Sequence, residues 1–398
     1  MFLDALRRRN PELIEAAIRF HQAGQIPANC YVIDTDIVEG NARIIAAEAR
    51  RLGLGIFGMT KQMGRNADFC AALIRGGIPA TVAVDMECAR ACLRAGMSLG
   101  HIGHLVQVPD AETGAAAAMN PAYWTVFNQE RAARSGPASQ ALGRRQPMLA
   151  RLQAEGDIFY LGHEGGFPAE DVVAVADRID GLDGARFAGI TTFPALLFDH
   201  ATRRMRPTPN LGTLRRAAEA LRRSGRHDIQ INAPGTNASQ GLHLLAEAGA
   251  TQCEPGHGLT GTTPLHALED LPELPAVAYV SEIAHRHQGR AYCFGGGLYI
   301  DPIFPEYPLR AIVAKAPTVA DEALFPVEIP PPSAIDYYGM IDAPDPAKAS
   351  VGDTVVFGFR PQIFVTRAYT VGIGGLHAGE PRLGTIFDAL GRVADWPA

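Results

Sequence analysis

Past its first thirty residues the chain alternates short apolar runs with longer, alanine-rich stretches of helical period. The apolar runs fall at 31–34, 55–59, 80–84, 101–108, 123–127, 148–152, 187–192, 229–231 and 250–253, with helical stretches such as 37–52, 67–75, 87–95 and 214–223 between them. Strands separated by helices imply a parallel sheet with crossover connections. About eight such units in roughly 240 residues fit a (β/α)8 barrel of the TIM type better than an open sheet. Ahead of the repeat, residues 2–22 read as helix with a break near Asn10 and Pro11. After Leu271-Pro272-Glu273-Leu274-Pro275 the texture changes. Stretches at 276–283, 291–294, 309–313, 353–359 and 362–371 read as strands punctuated by proline and glycine, most densely at Pro330-Pro331-Pro332. The expected organisation is therefore a helical segment over 1–29, a (β/α)8 barrel over 30–270 and an all-β domain over 271–398.

Composition narrows the partners. The 398 residues are 47% hydrophobic and 20% charged, as in an ordinary globular enzyme. A net charge of -6 argues against nucleic acid or an anionic membrane as partner. The six cysteines, Cys30, Cys70, Cys88, Cys92, Cys253 and Cys293, form no C-x-x-C pair, which disfavours a zinc ribbon and suggests a reducing, cytoplasmic setting. Cys88 and Cys92 share a helix face and read as small core residues. Residues 1–19 carry Asp4, Glu12 and Glu15 and lack an apolar core segment, unlike a secretion signal, and no apolar run is long enough to span a membrane.

Candidate chemistry starts at Lys61, which closes the run Leu54-Gly55-Ile56-Phe57-Gly58-Met59-Thr60. A lysine ending a barrel strand points into the mouth where such barrels hold their chemistry, and partial desolvation makes its amine nucleophilic. On position alone it also reads as a surface lysine capping a strand. Downstream, Glu254-Pro255-Gly256-His257-Gly258 follows the last barrel strand, and Asn232-Ala233-Pro234-Gly235-Thr236-Asn237-Ala238-Ser239 opens a helix with small residues that expose backbone N–H groups. Taken with Lys61, these motifs resemble the fold-type III pyridoxal-phosphate enzymes: alanine racemases, D-threonine aldolases and eukaryotic-type ornithine decarboxylases. A barrel followed by a β domain is their architecture, and the resemblance covers nearly the whole chain after Cys30. It separates the chain from barrel-only pyridoxal-phosphate homeostasis proteins.

The resemblance implies roles residue by residue. Lys61 is the Schiff-base lysine. Glu254 matches the first residue of the decarboxylase E-P-G-R motif, where alanine racemases have R-P-G; a carboxylate there keeps the pyridine nitrogen protonated and strengthens the ring as an electron sink. His257 departs from the arginine of that motif. Gly235, Thr236, Gly256 and His257 are phosphate ligands, although Asn237 or Ser239 serving as a plain helix cap is a competing reading. His163-Glu164-Gly165-Gly166-Phe167-Pro168 echoes the decarboxylase G-G-F-P, placing His163 to stack on the pyridine face. Arg151 braces the 3-hydroxyl side of the cofactor or the substrate carboxylate. His104 reads equally as a residue of the barrel mouth and as a core histidine.

In the β domain, Tyr292-Cys293-Phe294-Gly295-Gly296-Gly297-Leu298-Tyr299 resembles the racemase G-Y-G-D-G-Y segment, whose first tyrosine is the second catalytic base, supplied across a dimer. Phe294 occupies that position and has no proton to give, so Cys293 and Tyr299 stand as substitutes. Ala334-Ile335-Asp336-Tyr337-Tyr338 resembles the segment that meets the substrate carboxylate, making Asp336 and Tyr338 candidates from the partner chain. Val351-Gly352-Asp353 matches a shared structural strand. Arg360-Pro361-Gln362 stands where racemases carry a phosphate-binding tyrosine. D-threonine aldolases use a metal in this domain, but beside His285-Arg286-His287 no cysteine or acidic ligand lies at clear spacing, and no metal is expected. Within the resemblance the chain looks like the racemase-like proteins of the YhfX type. The expectation is a pyridoxal-phosphate amino-acid racemase acting at Cα as a head-to-tail homodimer. Decarboxylation or aldolase-like cleavage, favoured by Glu254, is the first alternative. A non-catalytic cofactor-binding barrel is the second.

Overall fold

The computed structural model describes residues 1–299 and 308–396, which fall into two compact units. One, the barrel unit, comprises 43–60 and 77–258; the other, the β unit, comprises 1–42, 61–76 and 259–398.

In the barrel unit, parallel strands run in the order Gly58–Met59, Ala80–Ala83, Ser98–Ile102, Tyr123–Val126, Gln146–Gln153, Ala185–Thr191, Gln230–Asn232 and Gln252–Cys253. The first segment is broken at Phe57. Its leading half, Gly55–Ile56, pairs with Gln252–Cys253 while its trailing half pairs with Ala80–Ala83, so the sheet returns on itself around eight strand positions. This is the barrel of parallel strands that the strand-helix alternation predicts. Capping side chains start two of the helices that follow the strands. Asp85 accepts from Cys88 N at 2.6 Å and Asn128 from Arg131 N at 2.9 Å, each worth about 1 kcal/mol. Cys88 and Cys92 are buried on one helix face, with their sulfurs 3.6 and 3.0 Å from Thr60 Oγ1. The strands also bury polar side chains: Thr125, Arg151, Thr191, Asn232 and His101 are all fully enclosed. Buried polar groups survive only where they are paired, and their concentration on the strands marks the site.

The β unit holds a nine-stranded sheet, mostly antiparallel. Six strands, Val277–His287, Arg290–Phe294, Arg310–Ala314, Leu324–Glu328, Tyr338–Asp342 and Thr354–Phe357, close into a ring through the pairing of the first two. Helix Pro11–Gln22 begins at Asn10, whose side chain accepts from Leu13 N, and its apolar face joins the core with Val32, Val280, Ile312 and Val356. One expectation is corrected here. The run at 31–34, read as the first barrel strand, is the strand Cys30–Asp34, which pairs antiparallel with Val277–His287 and parallel with Tyr369–Gly374. Buried along its whole length, it carries no alternation to tell a barrel strand from the centre of another sheet. No helix among the described residues is long and apolar enough to cross a membrane.

Candidate active site

Glu254 follows the short strand Gln252–Cys253 and is 3% exposed. Its backbone is fixed: Glu254 N donates to Asn237 Oδ1 at 2.8 Å, and Met59 N donates to the next carbonyl, Pro255 O, at 2.8 Å. The carboxylate Oε1 receives His101 Nδ1 at 2.6 Å and Asn232 Nδ2 at 2.9 Å. His104 Nε2 stands 3.4 Å from Oε2, yet Oε2 accepts no hydrogen bond from any described residue. Burial pushes this carboxyl up, but the charges of His104 and His101 and the hydrogen bonds from His101 and Asn232 outweigh it, and the balance lies below the usual carboxylate range. Glu254 is thus a buried anion with one saturated oxygen and one oxygen available to an N–H or O–H donor.

His101 is held from its far side by Thr125, whose hydroxyl meets Nε2. Nδ1 donates to the carboxylate, and Nε2 is taken up by the hydroxyl. The donor atoms of His101, His104 and Glu254 all lie within 4.8 Å of one another, but the 2.6 Å between Nδ1 and Oε1 is a hydrogen-bond length. Two ligands of one tetrahedral zinc ion stand roughly 3.4 Å apart. The motif reading singles out His104 and passes over His101, whose partner lies 153 residues away. The available signal is the pair His101-Ile102-Gly103-His104 at a strand end.

Arg151 is fully buried near the end of Gln146–Gln153. Its guanidinium lies 4.5 Å from the centre of the Phe127 ring and 5.8 Å from that of Phe159. Nη2 donates to the carbonyls of His163 and Phe193, whereas Nε and Nη1 find no acceptor among the described residues. Burial pushes its pKa down, with Glu164 pulling the other way, to about 10, so it stays a cation at neutral pH. A buried guanidinium with idle donors is a receptor for an anion. Gly166, at φ +139°, makes this packing feasible, because a Cβ there would stand 2.7 Å from Arg151 O. Rings continue the lining: His104, Tyr160 and His163 each lie 5.8 Å from Phe193 between ring centres. His163 therefore sits in an aromatic cluster, where its ring can present a face.

The loop after Gln230–Asn232 departs from its expected role in detail. Thr236 N donates to Leu196 O at 2.9 Å, and a Cβ on Gly235 would stand 2.4 Å from that same oxygen. These two residues seat the hairpin Leu196–Asp199 and Arg204–Pro207, so the Thr236 amide is not available to phosphate. Beside them, Asn237 Nδ2 is buried with no hydrogen-bond partner among the described residues, and Gly256 and His257 are buried in the turn after Glu254. Asn237 thus takes a place among the candidate anion donors that the motif gives to Thr236.

In the β unit, Lys61 opens a short 3-10 helix, with Nζ 4.9 Å from the centre of the Phe364 ring. Arg65, 2% exposed, lies 5.7 Å from the same ring and donates to Ala389 O at 3.2 Å. Cys293 requires a correction. It is fully buried, and burial pushes its thiol up to about 12, so it reaches no substrate and forms no thiolate near neutrality. Asp336 is engaged structurally: Oδ2 accepts from Gly296 N at 2.9 Å and Leu298 N at 3.1 Å, and Oδ1 faces Arg367 at 3.1 Å. Tyr299, Phe294 and Tyr338 are 37%, 38% and 37% exposed. His285 stacks on Tyr292 at 4.5 Å.

Residues 33–264 match the family described as alanine racemase, N-terminal domain, and residues 278–383 match the YhfX-like C-terminal domain. The uncharacterized protein YhfX of Escherichia coli (strain K12) is 38% identical over 398 residues, covering 98% of this chain and 99% of its own. Similar solved structures include D-threonine aldolase from Filomicrobium marinum (16% identity, 93% of this chain and 96% of that one, TM-score 0.68). Alanine racemase of Clostridium difficile 630 in complex with cycloserine is also similar (15%, 92% and 99%, TM-score 0.63). So is D-threo-3-hydroxyaspartate dehydratase from Delftia sp. HT23 (15%, 90% and 96%, TM-score 0.65). The idle donors of Arg151 and Asn237 and the idle oxygen of Glu254 suit a cofactor that is anionic and also carries a protonated ring nitrogen. The chain belongs to the alanine-racemase-like family of pyridoxal-phosphate-dependent proteins, with a YhfX-like C-terminal domain.

Proposed function

We propose that this protein is an amino-acid racemase that acts at Cα, with Lys61 bonding the cofactor and Glu254 paired with its ring nitrogen. Pyridoxal phosphate, when bound, supplies an aldehyde for amines and a ring that draws electrons away from Cα. The observation that carries the reading is the buried carboxylate of Glu254, with Oε1 saturated and Oε2 left to accept from a ring N–H. Arg151 and the Asn237 amide hold anionic oxygens, with Gly256 and His257 contributing at the turn, and the ring of His163 stacks. Lys61 Nζ takes or returns the Cα proton on one face. Tyr299 Oη, partly exposed and supplied by a second copy, does so on the other. The family match over 33–264 supports racemisation, and six buried cysteines, none of them in a disulfide, support a reducing, cytoplasmic setting.

Glu254 also favours a second reading, cleavage of a Cα bond other than C–H. By holding a ring nitrogen protonated, Glu254 would also favour loss of carbon dioxide or an aldehyde from Cα, and the likeness to D-threonine aldolase accords with it.

The test is a panel of amino acids incubated in D2O with the wild-type holoprotein, read by mass spectrometry and chiral separation. Deuterium at Cα together with the opposite enantiomer is the expected result. Exchange without inversion across the panel overturns racemisation, and carbon dioxide or an aldehyde in the products establishes the second reading. Borohydride should fix the cofactor to Lys61 and abolish the visible absorbance, and Lys61→Ala should lose both features.

A further inference from the structure

We propose that His101 is the positioning residue that keeps Glu254 a carboxylate and reserves Oε2 for the ring nitrogen. This rests on the reading of Glu254 as the ring-nitrogen partner and adds a residue that neither motif nor family match singles out. His101 is fully buried, and both of its nitrogens are engaged, Nδ1 with Glu254 Oε1 at 2.6 Å and Nε2 with the Thr125 hydroxyl. Thr125 comes from Tyr123–Val126, His101 from Ser98–Ile102 and Glu254 from the end of Gln252–Cys253, so three strands fix one hydrogen bond. Because a carboxylate oxygen can only accept, Nδ1 carries the proton that faces it, and the Thr125 hydroxyl holds the ring from Nε2. Asn232 is the second donor to the same oxygen, at 2.9 Å. The other titratable groups around the carboxylate are His104, at 3.4 Å from Oε2, and the neighbouring Cys253.

Two donors on Oε1 lower the proton affinity of the whole carboxyl group, since both oxygens share its charge. A proton between the ring nitrogen and Oε2 then stays on nitrogen. Without the His101 donor the balance moves: the N–H bond of the ring breaks, an O–H bond forms at Oε2, and the ring is left neutral and hydrogen-bonded to a neutral acid. A hydrogen bond to a charged acceptor is worth enough to move that partition by about ten- to a hundredfold.

The experiment is 15N NMR of the full-length protein reconstituted with pyridoxal phosphate labelled at the ring nitrogen, recorded across pH. Wild type should show a protonated nitrogen and His101→Leu a ten- to hundredfold lower protonated fraction. His101→Asn, which keeps one N–H facing the carboxylate, should restore most of it. A wild-type signal in His101→Leu overturns the proposal, as does an Asn variant that behaves like the Leu variant, because packing alone would then explain the effect. Should the Leu variant fail to fold, Thr125→Val asks the same question by releasing Nε2. A smaller shift in the same direction supports the proposal, and an unchanged spectrum overturns it. Glu254→Gln tests the parent reading separately: a nitrogen that stays protonated there removes Glu254 as partner, whatever His101 does.

Discussion

Arg151 is enclosed on every side and keeps its charge at neutral pH, yet two of its nitrogens find no acceptor among the described residues. A guanidinium retained for stability alone would be fully matched, because an idle buried donor costs about 1–3 kcal/mol. Arg151→Met keeps the length and the contact with Phe127 while removing the charge. It should leave the cofactor-free protein no less stable than wild type by more than about 1 kcal/mol, since relief of desolvation offsets the lost bonds to the His163 and Phe193 carbonyls. Affinity for pyridoxal phosphate or for an anionic substrate should fall by about ten- to a hundredfold, the worth of a charge-assisted hydrogen bond. Urea unfolding and a cofactor titration read the two effects separately, and a variant that unfolds easily but still binds would make Arg151 structural. Cys293 gives the opposite case. Burial pushes its thiol up to about 12, far from neutrality, so Cys293→Ala should leave both Cα exchange and inversion standing, whereas Tyr299→Phe should stop inversion alone. Loss of inversion in the alanine variant would return the acid/base role to the sulfur.

At the level of elements, Gly235 shows how a loop can be legible in kind and misread in detail. The small residues after Gln230–Asn232 announce a turn with close backbone approach, which is what the structure contains. The approaching group is the Leu196 backbone of a hairpin whose second strand, Arg204–Pro207, is arginine-rich and carries no apolar run. Gly235→Ala brings a methyl group to 2.4 Å from Leu196 O and should destabilise the protein by about 1–3 kcal/mol, the usual range for overpacking. Thermal unfolding measures it, and an unchanged midpoint would mean the hairpin yields freely. The same contrast runs through the fold. The barrel strands were readable because apolar runs alternate with helices, two of which open on a side-chain cap, at Asp85 and Asn128. Cys30–Asp34 was placed in the wrong sheet because a strand buried on both faces looks alike anywhere. Leu324–Glu328 and Tyr338–Asp342 went unread because each is short, with proline or glycine inside it and an acidic residue at its end. Lys61, Arg151 and Glu254 declared themselves by residue type at strand ends. His101 did not, since its meaning comes from a carboxylate 153 residues later.

For the whole molecule, the proposed roles of Lys61 and Tyr299 on opposite faces of Cα bear on assembly. Inversion at Cα needs a proton donor on each face, because one base returning its own proton preserves configuration. Phe294 stands where the family's second base is expected and cannot serve; it is partly exposed and packs against the partly exposed Tyr338, with 6.1 Å between ring centres. If Tyr299 acts on the site of a second copy, two inactive variants should rescue each other. Lys61→Ala retains its tyrosine, and Tyr299→Phe retains its lysine. In a mixed dimer one site therefore has both groups and the other has neither. Random reassortment makes half of the dimers mixed, so inversion should return to about a quarter of the wild-type rate. The measurement is to unfold and refold the two variants together and to follow conversion of one enantiomer against each variant refolded alone. Recovery near a quarter, appearing only after co-refolding, establishes a shared site. No recovery, from a mixture that sedimentation shows to contain mixed dimers, places Tyr299 and Lys61 on the same copy, and sedimentation as a monomer removes the partner altogether.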